Sequence, residues 1–252
     1  MRIDVLNKRA VSAAIGVAVA VAAFPVAAES TITGNIGVVS KYVLRGLTNV
    51  AENNNTAVQG GIDYAHGSGL FAGYWGSNLD YGDASLGGSS TTGFENDLYG
   101  GYAFTGGPVS MKAGLIYYVY SGFDDSNAPE AFFSAAYGPV TFGVKYLLDD
   151  VVWGNQGDTY LTLDYARALP MGFNFGASLG YYLYDDSDPG DPGTIAPGTT
   201  TENSGFRHLN LTVSHPIIND KTTMAVTFIV GGKNRSDVEQ KDTVVLGLTT
   251  TF

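Results

Sequence analysis

The stretch Asp242-Thr-Val-Val-Leu-Gly-Leu-Thr-Thr-Thr-Phe252 ends the chain, and the rest is read outward from it. Val244, Leu246, Leu248 and Phe252 share one side of a period-two pattern, against Thr243, Gly247, Thr249 and Thr251 on the other. One apolar side and one polar side at period two is strand behaviour. An alternating last strand with a terminal aromatic is the usual ending of a Gram-negative outer-membrane barrel. There the last strand must pair with the first, because an unclosed sheet cannot survive in lipid.

Working back towards the N-terminus, the same period recurs. Twelve segments read as strands: 35–46, 56–65, 70–78, 94–104, 109–120, 130–137, 140–148, 158–167, 173–184, 206–215, 222–231 and the terminal run. In 109–120, for example, Met111, Leu115 and Tyr117 oppose Lys112, Tyr118 and Tyr120. In 70–78, Phe71 and Trp75 form the apolar side, and in 130–137 Phe133 and Tyr137 do.

The connections set the architecture. Those at 66–69, 105–108, 138–139, 168–171 and 216–220 are short, and those at 47–55, 79–93, 121–129, 149–157, 185–205 and 232–241 are longer. Long and short alternate, beginning and ending on long. Short periplasmic turns and longer external loops are the asymmetry of outer-membrane barrels. The expectation is an all-β, transmembrane antiparallel barrel of twelve strands with both termini periplasmic. A secreted β-sandwich also has regular strands, but it does not require alternating connection lengths.

The N-terminus reads as an export signal over residues 1–28, with the barrel occupying 29–252. Arg2, Lys8 and Arg9 are its basic region, Ala10 to Phe24 its apolar region, and Val26-Ala27-Ala28 its small residues before cleavage. That apolar run is short for a span, which takes roughly 20 residues. The chain carries a net charge of −11, which disfavours binding to nucleic acid through phosphate neutralisation, and no nucleic-acid partner is expected. It holds no cysteine, and stability must come from backbone pairing and burial. Its 44% hydrophobic content is ordinary, as expected when apolar residues occupy every second position.

Three stretches go beyond architecture. Ser40-Lys-Tyr-Val-Leu-Arg-Gly46, Ala57-Val-Gln-Gly-Gly-Ile-Asp-Tyr64 and Trp75-Gly-Ser-Asn78 resemble the proteobacterial TorF-type porin family, also called Gcw_chp. The resemblance implies an outer-membrane barrel of porin type. Its specific words lie in the first third of the mature chain.

No segment carries the pattern of a catalytic or cofactor site. There is no His-Glu-x-x-His, no Walker loop and no dinucleotide fingerprint, and the Gly-x-Ser-x-Gly string Gly176-Ala-Ser-Leu-Gly180 falls inside the strand segment 173–184 rather than at the strand-to-helix turn of a nucleophile elbow. His66 and His215 fall at turns, and His208 alone projects where a lumen site could form. The acidic run 185–193 offers hard oxygen ligands of the kind Ca²⁺ takes, but without EF-hand spacing. Its Pro and Gly content favours a solvated external loop. No cofactor, no metal and no covalent catalysis are expected.

The expected lumen face is the informative surface. It offers Lys41, Arg45, Lys112 and Lys145 against Asp63, Glu95, Asp97 and Asp164, with His208 beside them. Tyr99, Tyr118, Tyr120, Tyr160 and Tyr182 fall on the same face, with Tyr120 and Tyr182 close enough to strand ends to suit interfacial girdles. Two readings of these charges stand open: a polar conduit, or pairs across strands that plug the barrel. Tyrosines along a conduit could stack sugars or nucleosides, or simply fill a narrow barrel. Counted over the long connections, acidic residues outnumber basic ones by fourteen to three. A mouth of that sign favours cations. The expected function is passive diffusion of small hydrophilic solutes, weakly cation-preferring, with outer-membrane lipid and lipopolysaccharide as surroundings. The alternatives are a non-conducting structural or interaction barrel and, third, an outer-membrane lipid hydrolase.

Overall fold

The alternating segments close into a barrel. In the computed structural model, which describes residues 30–81, 92–186, 195 and 199–252, twelve antiparallel strands form one closed sheet. In chain order they are β1 (Thr31–Val39), β2 (Ala57–Ala65), β3 (Leu70–Asp80), β4 (Thr92–Gly106), β5 (Val109–Ser121), β6 (Ala128–Tyr137), β7 (Val140–Leu147), β8 (Thr159–Ala168), β9 (Asn174–Leu183), β10 (Ser204–Ile218), β11 (Thr222–Gly231) and β12 (Thr243–Thr251). Each strand pairs with its sequence neighbours, and β1 pairs with β12 to close the ring, Asn35 opposite Thr251 and Val39 opposite Gly247. The expected signal segment 1–28 and much of the acidic loop, 187–194 and 196–198, lie outside the described residues.

The seam explains the terminal aromatic. Gly34 and Phe252 exchange backbone hydrogen bonds of 2.8 and 2.9 Å. The Phe252 ring lies over Gly34, where a Cβ would come within 2.5 Å of it. The outward side of the terminal strand is Val244, Leu246, Leu248 and Phe252, all exposed as expected. Around the barrel the same parity sends Ile62, Leu98, Leu115, Phe142, Leu163 and Phe228 outward. Near the short turns the outer face carries Tyr64, Tyr102, Phe104, Tyr137 and Phe173, and towards the other end Phe94, Tyr117, Tyr146 and Phe206. Aromatics at both rims of an apolar band are the girdles of an outer-membrane barrel, and the protein is one.

The start of β1 and the end of β12 lie with the short turns. In the link between β10 and β11, Asn219 (φ 48) and Asp220 (φ 56) both adopt the left-handed conformation that suits a close antiparallel hairpin. Among the described residues, the strands run into the longer connections at the opposite end.

One expected strand is corrected. The segment 35–46 is not a single strand: β1 runs Thr31–Val39, and the chain then leaves the wall. The expected apolar side of β3, with Phe71 and Trp75, is the inner one. Phe71 is buried against Phe132 with centroids 6.2 Å apart, and Tyr42 meets Trp75 edge-on at 5.7 Å. Inner apolar rings are tolerated because the lumen is partly filled.

Candidate functional site in the lumen

The lumen is organised by the first long connection, residues 40–56, which turns inward. Tyr42 lies in the core, and its backbone bonds Asn53 in both directions, N–H to O 2.9 Å and O to N–H 3.2 Å, which folds the segment on itself. Arg45 (φ 45) and Gly46 (φ 74) are consecutive left-handed residues. At Gly46 only glycine fits: a Cβ would meet the Arg207 carbonyl oxygen and His208 Cβ at 2.7 Å each. An L-residue such as Arg45 in this conformation costs roughly 1–2 kcal/mol, so its contacts must offset that.

The contacts of Arg45 form a clasp. Its Nη2 donates to Glu130 Oε2 at 2.7 Å and to the Tyr118 hydroxyl at 3.1 Å, and its Nη1 donates to the Tyr182 hydroxyl at 2.7 Å. Its Cζ stands 4.8 Å from the centroid of the Tyr160 ring. Tyr118 in turn donates to Glu130 at 2.7 Å and accepts from Lys145 Nζ at 3.1 Å, and Lys145 itself lies 3.7 Å from Glu130. The Arg45 and Glu130 side chains are 8% and 1% exposed, so the ion pair is shielded from solvent. The backbone of the clasp has its own anchor: Arg207 donates to the Arg45 carbonyl at 3.2 and 3.3 Å and to the Lys233 carbonyl at 3.1 Å. Arg207 and His208 are both buried although consecutive, because a register shift between Phe206 and His208 turns two neighbours inward.

Around the clasp the other inner groups fall into place. His208 Nε2 lies 2.6 Å from the Tyr160 hydroxyl, in space that Gly180 leaves open, since a Cβ there would meet Nε2 at 2.4 Å. Tyr120 donates to Glu95 Oε1 at 3.1 Å. Glu95 Oε2 and both oxygens of Asp97 are buried without a hydrogen bond among the described residues. Glu52, from the inward segment, accepts a hydrogen bond from Tyr81. Burial, then the negative charge of Glu95, raises the Glu52 carboxyl to about 8. From above, Trp153 of the connection between β7 and β8 meets Tyr118 at 5.8 Å and Tyr120 at 6.4 Å, its Nε1 bonded to the Ser126 carbonyl at 2.8 Å. Arg235 and Asp158 pair across two connections.

The expected lumen residues are thus resolved into groups. Arg45, Lys145, Tyr118, Tyr160, Tyr182 and His208 come together at the clasp, with Glu95, Asp97 and Tyr120 beside it. Nearer the short turns, Tyr99 donates to Asp63 Oδ1 at 2.6 Å, Lys112 sits over the Phe71 ring at 5.6 Å, and Asp164 is half-buried on β8. Lys41 and Arg45 are not wall residues but belong to the inward segment. Tyr120 and Tyr182 are not girdle residues: both are buried inside. A continuous aromatic track for sugars is not what the geometry offers, because Tyr118, Tyr160 and Tyr182 are engaged by Arg45 and His208. Glu130, Arg207, Trp153 and Glu52 are functional-site residues the sequence reading missed. Among the described residues no cluster of His, Asp and Glu has a metal-binding arrangement.

Comparison with known proteins agrees with this architecture. A family model for Gcw_chp, described as bacterial protein of unknown function, matches residues 23–252, and the chain belongs to that family. No curated protein is similar enough in sequence to count as a relative. Among solved structures, the COG4313 outer membrane channel from Pseudomonas putida F1 is similar at 11% identity and a TM-score of 0.50, covering 89% of this chain and 95% of that one. Outer membrane phospholipase A from Escherichia coli is similar at 14% identity and a TM-score of 0.45, covering 90% and 92%. Acinetobacter baumannii OccAB3 is similar at 10% identity and a TM-score of 0.40, covering 89% and 65%. At 11% identity the likeness to the COG4313 channel is one of fold alone.

Proposed function

We propose that this Gcw_chp protein is a channel for passive diffusion of small hydrophilic solutes, weakly cation-preferring, whose narrowest point is the Arg45 clasp. The observation that carries this reading is where the obstruction comes from. Wall side chains pack much of the lumen, and a connection folded inward, held through Arg45 and Tyr42, adds to them. A segment held that way can be displaced while the twelve-stranded ring stays intact. The acidic excess of the long connections concentrates cations at the mouth, most strongly at low salt, where the Debye length is roughly 30 Å. By the usual asymmetry of these barrels, long connections face outward and termini face the periplasm.

The test is a reversal potential across a KCl gradient with purified protein in a planar bilayer. A modest cation preference that grows as salt is lowered is expected, and anion preference overturns the reading. Orientation is tested on intact cells: a tag within 185–205 is labelled from outside and one at 138–139 is not.

The second reading, a non-conducting interaction barrel with acidic connections, is favoured by the tight packing around Glu95, Asp97 and Glu130. Silence in the bilayer under every condition selects it. Lipid hydrolysis draws little support. His208 is turned into the lumen and engaged by Tyr160. The Ser68 hydroxyl that meets His66 Nδ1 at 2.8 Å belongs to a local contact in an exposed turn. Catalysis of that kind needs a nucleophile, a base and an orienting group in one place.

A further inference from the structure

We propose that the lumen wall carries a recognition site for guanidinium and related small organic cations, and that Arg45 occupies it as a tethered ligand. For its solute the proposal rests on the channel reading, but its test reads binding rather than current.

The cradle is made by the wall alone. Tyr118 comes from β5, Glu130 from β6, Tyr160 from β8 and Tyr182 from β9, so strand register holds all four in place. Together they supply a carboxylate at 2.7 Å, two phenol oxygens at 2.7 and 3.1 Å, and an aromatic face 4.8 Å from the guanidinium carbon. These are the elements that recognise a planar cation: charge-assisted hydrogen bonds to a fork of N–H donors and a ring quadrupole beneath it. The Tyr118 hydroxyl is oriented for this, because its own proton is directed to Glu130 at 2.7 Å.

Two details separate a head-group site from an ordinary structural ion pair. The bonds to the wall all run through Nη1 and Nη2, while Nε is buried without a hydrogen bond among the described residues. The wall therefore contacts the part of arginine that a free guanidinium shares. Independently, Arg207 and the Gly46 approach to His208 hold the backbone of the segment without help from the Arg45 side chain. Removing that side chain should leave the segment seated and the cradle able to take a solute. Lys145, 3.7 Å from Glu130, marks one edge of the cradle and sets the competition a solute must win.

The experiment uses the refolded full-length barrel carrying Arg45→Ala, with methylguanidinium chloride as the probe and sodium chloride at equal concentration as the control. At ten times its Kd, methylguanidinium should raise the thermal midpoint by about 3–6 °C over sodium. That gain should vanish when Glu130→Gln or Tyr160→Ala is added. Equal midpoints in the two salts overturn the proposal, and so does a gain that survives Glu130→Gln. If Arg45→Ala does not fold, Arg45→Gly, which suits the left-handed backbone at that position, takes its place, with the same two outcomes read in the same way. Current through the same preparations separates the two claims. Stabilisation without conductance leaves the site standing and removes the channel, whereas conductance without stabilisation removes the site alone.

Discussion

The two ends of the lumen are built differently. Towards the long connections the inner face is packed: Glu95, Asp97, Tyr118, Glu130, Tyr160, Tyr182, Arg207 and His208 are all buried, with Arg45, Tyr42 and Trp153 set among them. Towards the short turns, the arc of β7 to β9 presents Gly143, Thr162, Asp164, Gly176 and Ser178, small or polar and all partly exposed. The opposite arc at that end is filled by the Phe71–Phe132 contact and Lys112. The inner wall along β7 to β9 is therefore more open at the turn end than around the clasp. On the channel reading proposed above, this difference would place control of passage at the clasp and leave the turn side of β7 to β9 as its vestibule.

The largest expected effect comes from breaking the packed half. Arg45→Ala strips the Glu130 carboxylate of its main partner in a buried setting, a loss that typically costs about 3–5 kcal/mol. Lys145 stands close enough to recover part of it. A lowered thermal midpoint and raised conductance should appear together, whereas Asp164→Ala, in the wet half, should change neither by much. Chemical denaturation of the refolded barrels checks the stability side.

A second, smaller effect depends on pH. Glu52 is held neutral in the seated segment to about pH 8, against an ordinary value of 4.5. For an acid whose folded value is raised, the seated state carries the extra proton. Seating is therefore strongest below about 4.5, weakens as pH rises towards about 8, and changes little above that. Amide exchange in residues 40–56 should quicken across that window. Glu52→Gln, which is neutral throughout, should flatten the dependence, and an unchanged profile in that variant would count against the assignment.

The remaining tests are finer. Gly180→Val drives a side chain into His208 and Tyr160, and overpacking of this kind costs about 1–3 kcal/mol. Disturbance should be confined to the packed half, visible as altered ring resonances of Tyr160. Tyr99→Phe removes a single hydrogen bond to Asp63 in the turn half, worth about 1.5–3 kcal/mol when the acceptor is charged and less where water replaces it. No change in conductance is expected from it.

How far the sequence shows this contrast depends on the residue. Period two reads the wall well, because lipid outside demands an apolar side in nearly every strand. It fails at Lys41 to Arg45, where an extended segment folded into the lumen alternates just as a wall strand does. Glu130 was legible: it lies on the parity opposite Phe133 and Tyr137, and only its place at a strand end hid it. Parity likewise put Tyr120 and Tyr182 inside, and weight given to their nearness to strand ends pointed to girdles instead. Arg207 could not be read this way, since the irregularity after Phe206 breaks the period at that point. Nor could Trp153 and Glu52, which sit in connections whose course no local pattern dictates.

Whether the Arg45 side chain narrows a conduit is read from single-channel recording of the intact protein and Arg45→Ala in symmetric KCl. The account predicts rare, small openings for the intact chain and a several-fold larger, longer-lived current for the variant, with cations favoured in both. Silence from both proteins, each verified as a folded barrel, would contradict it.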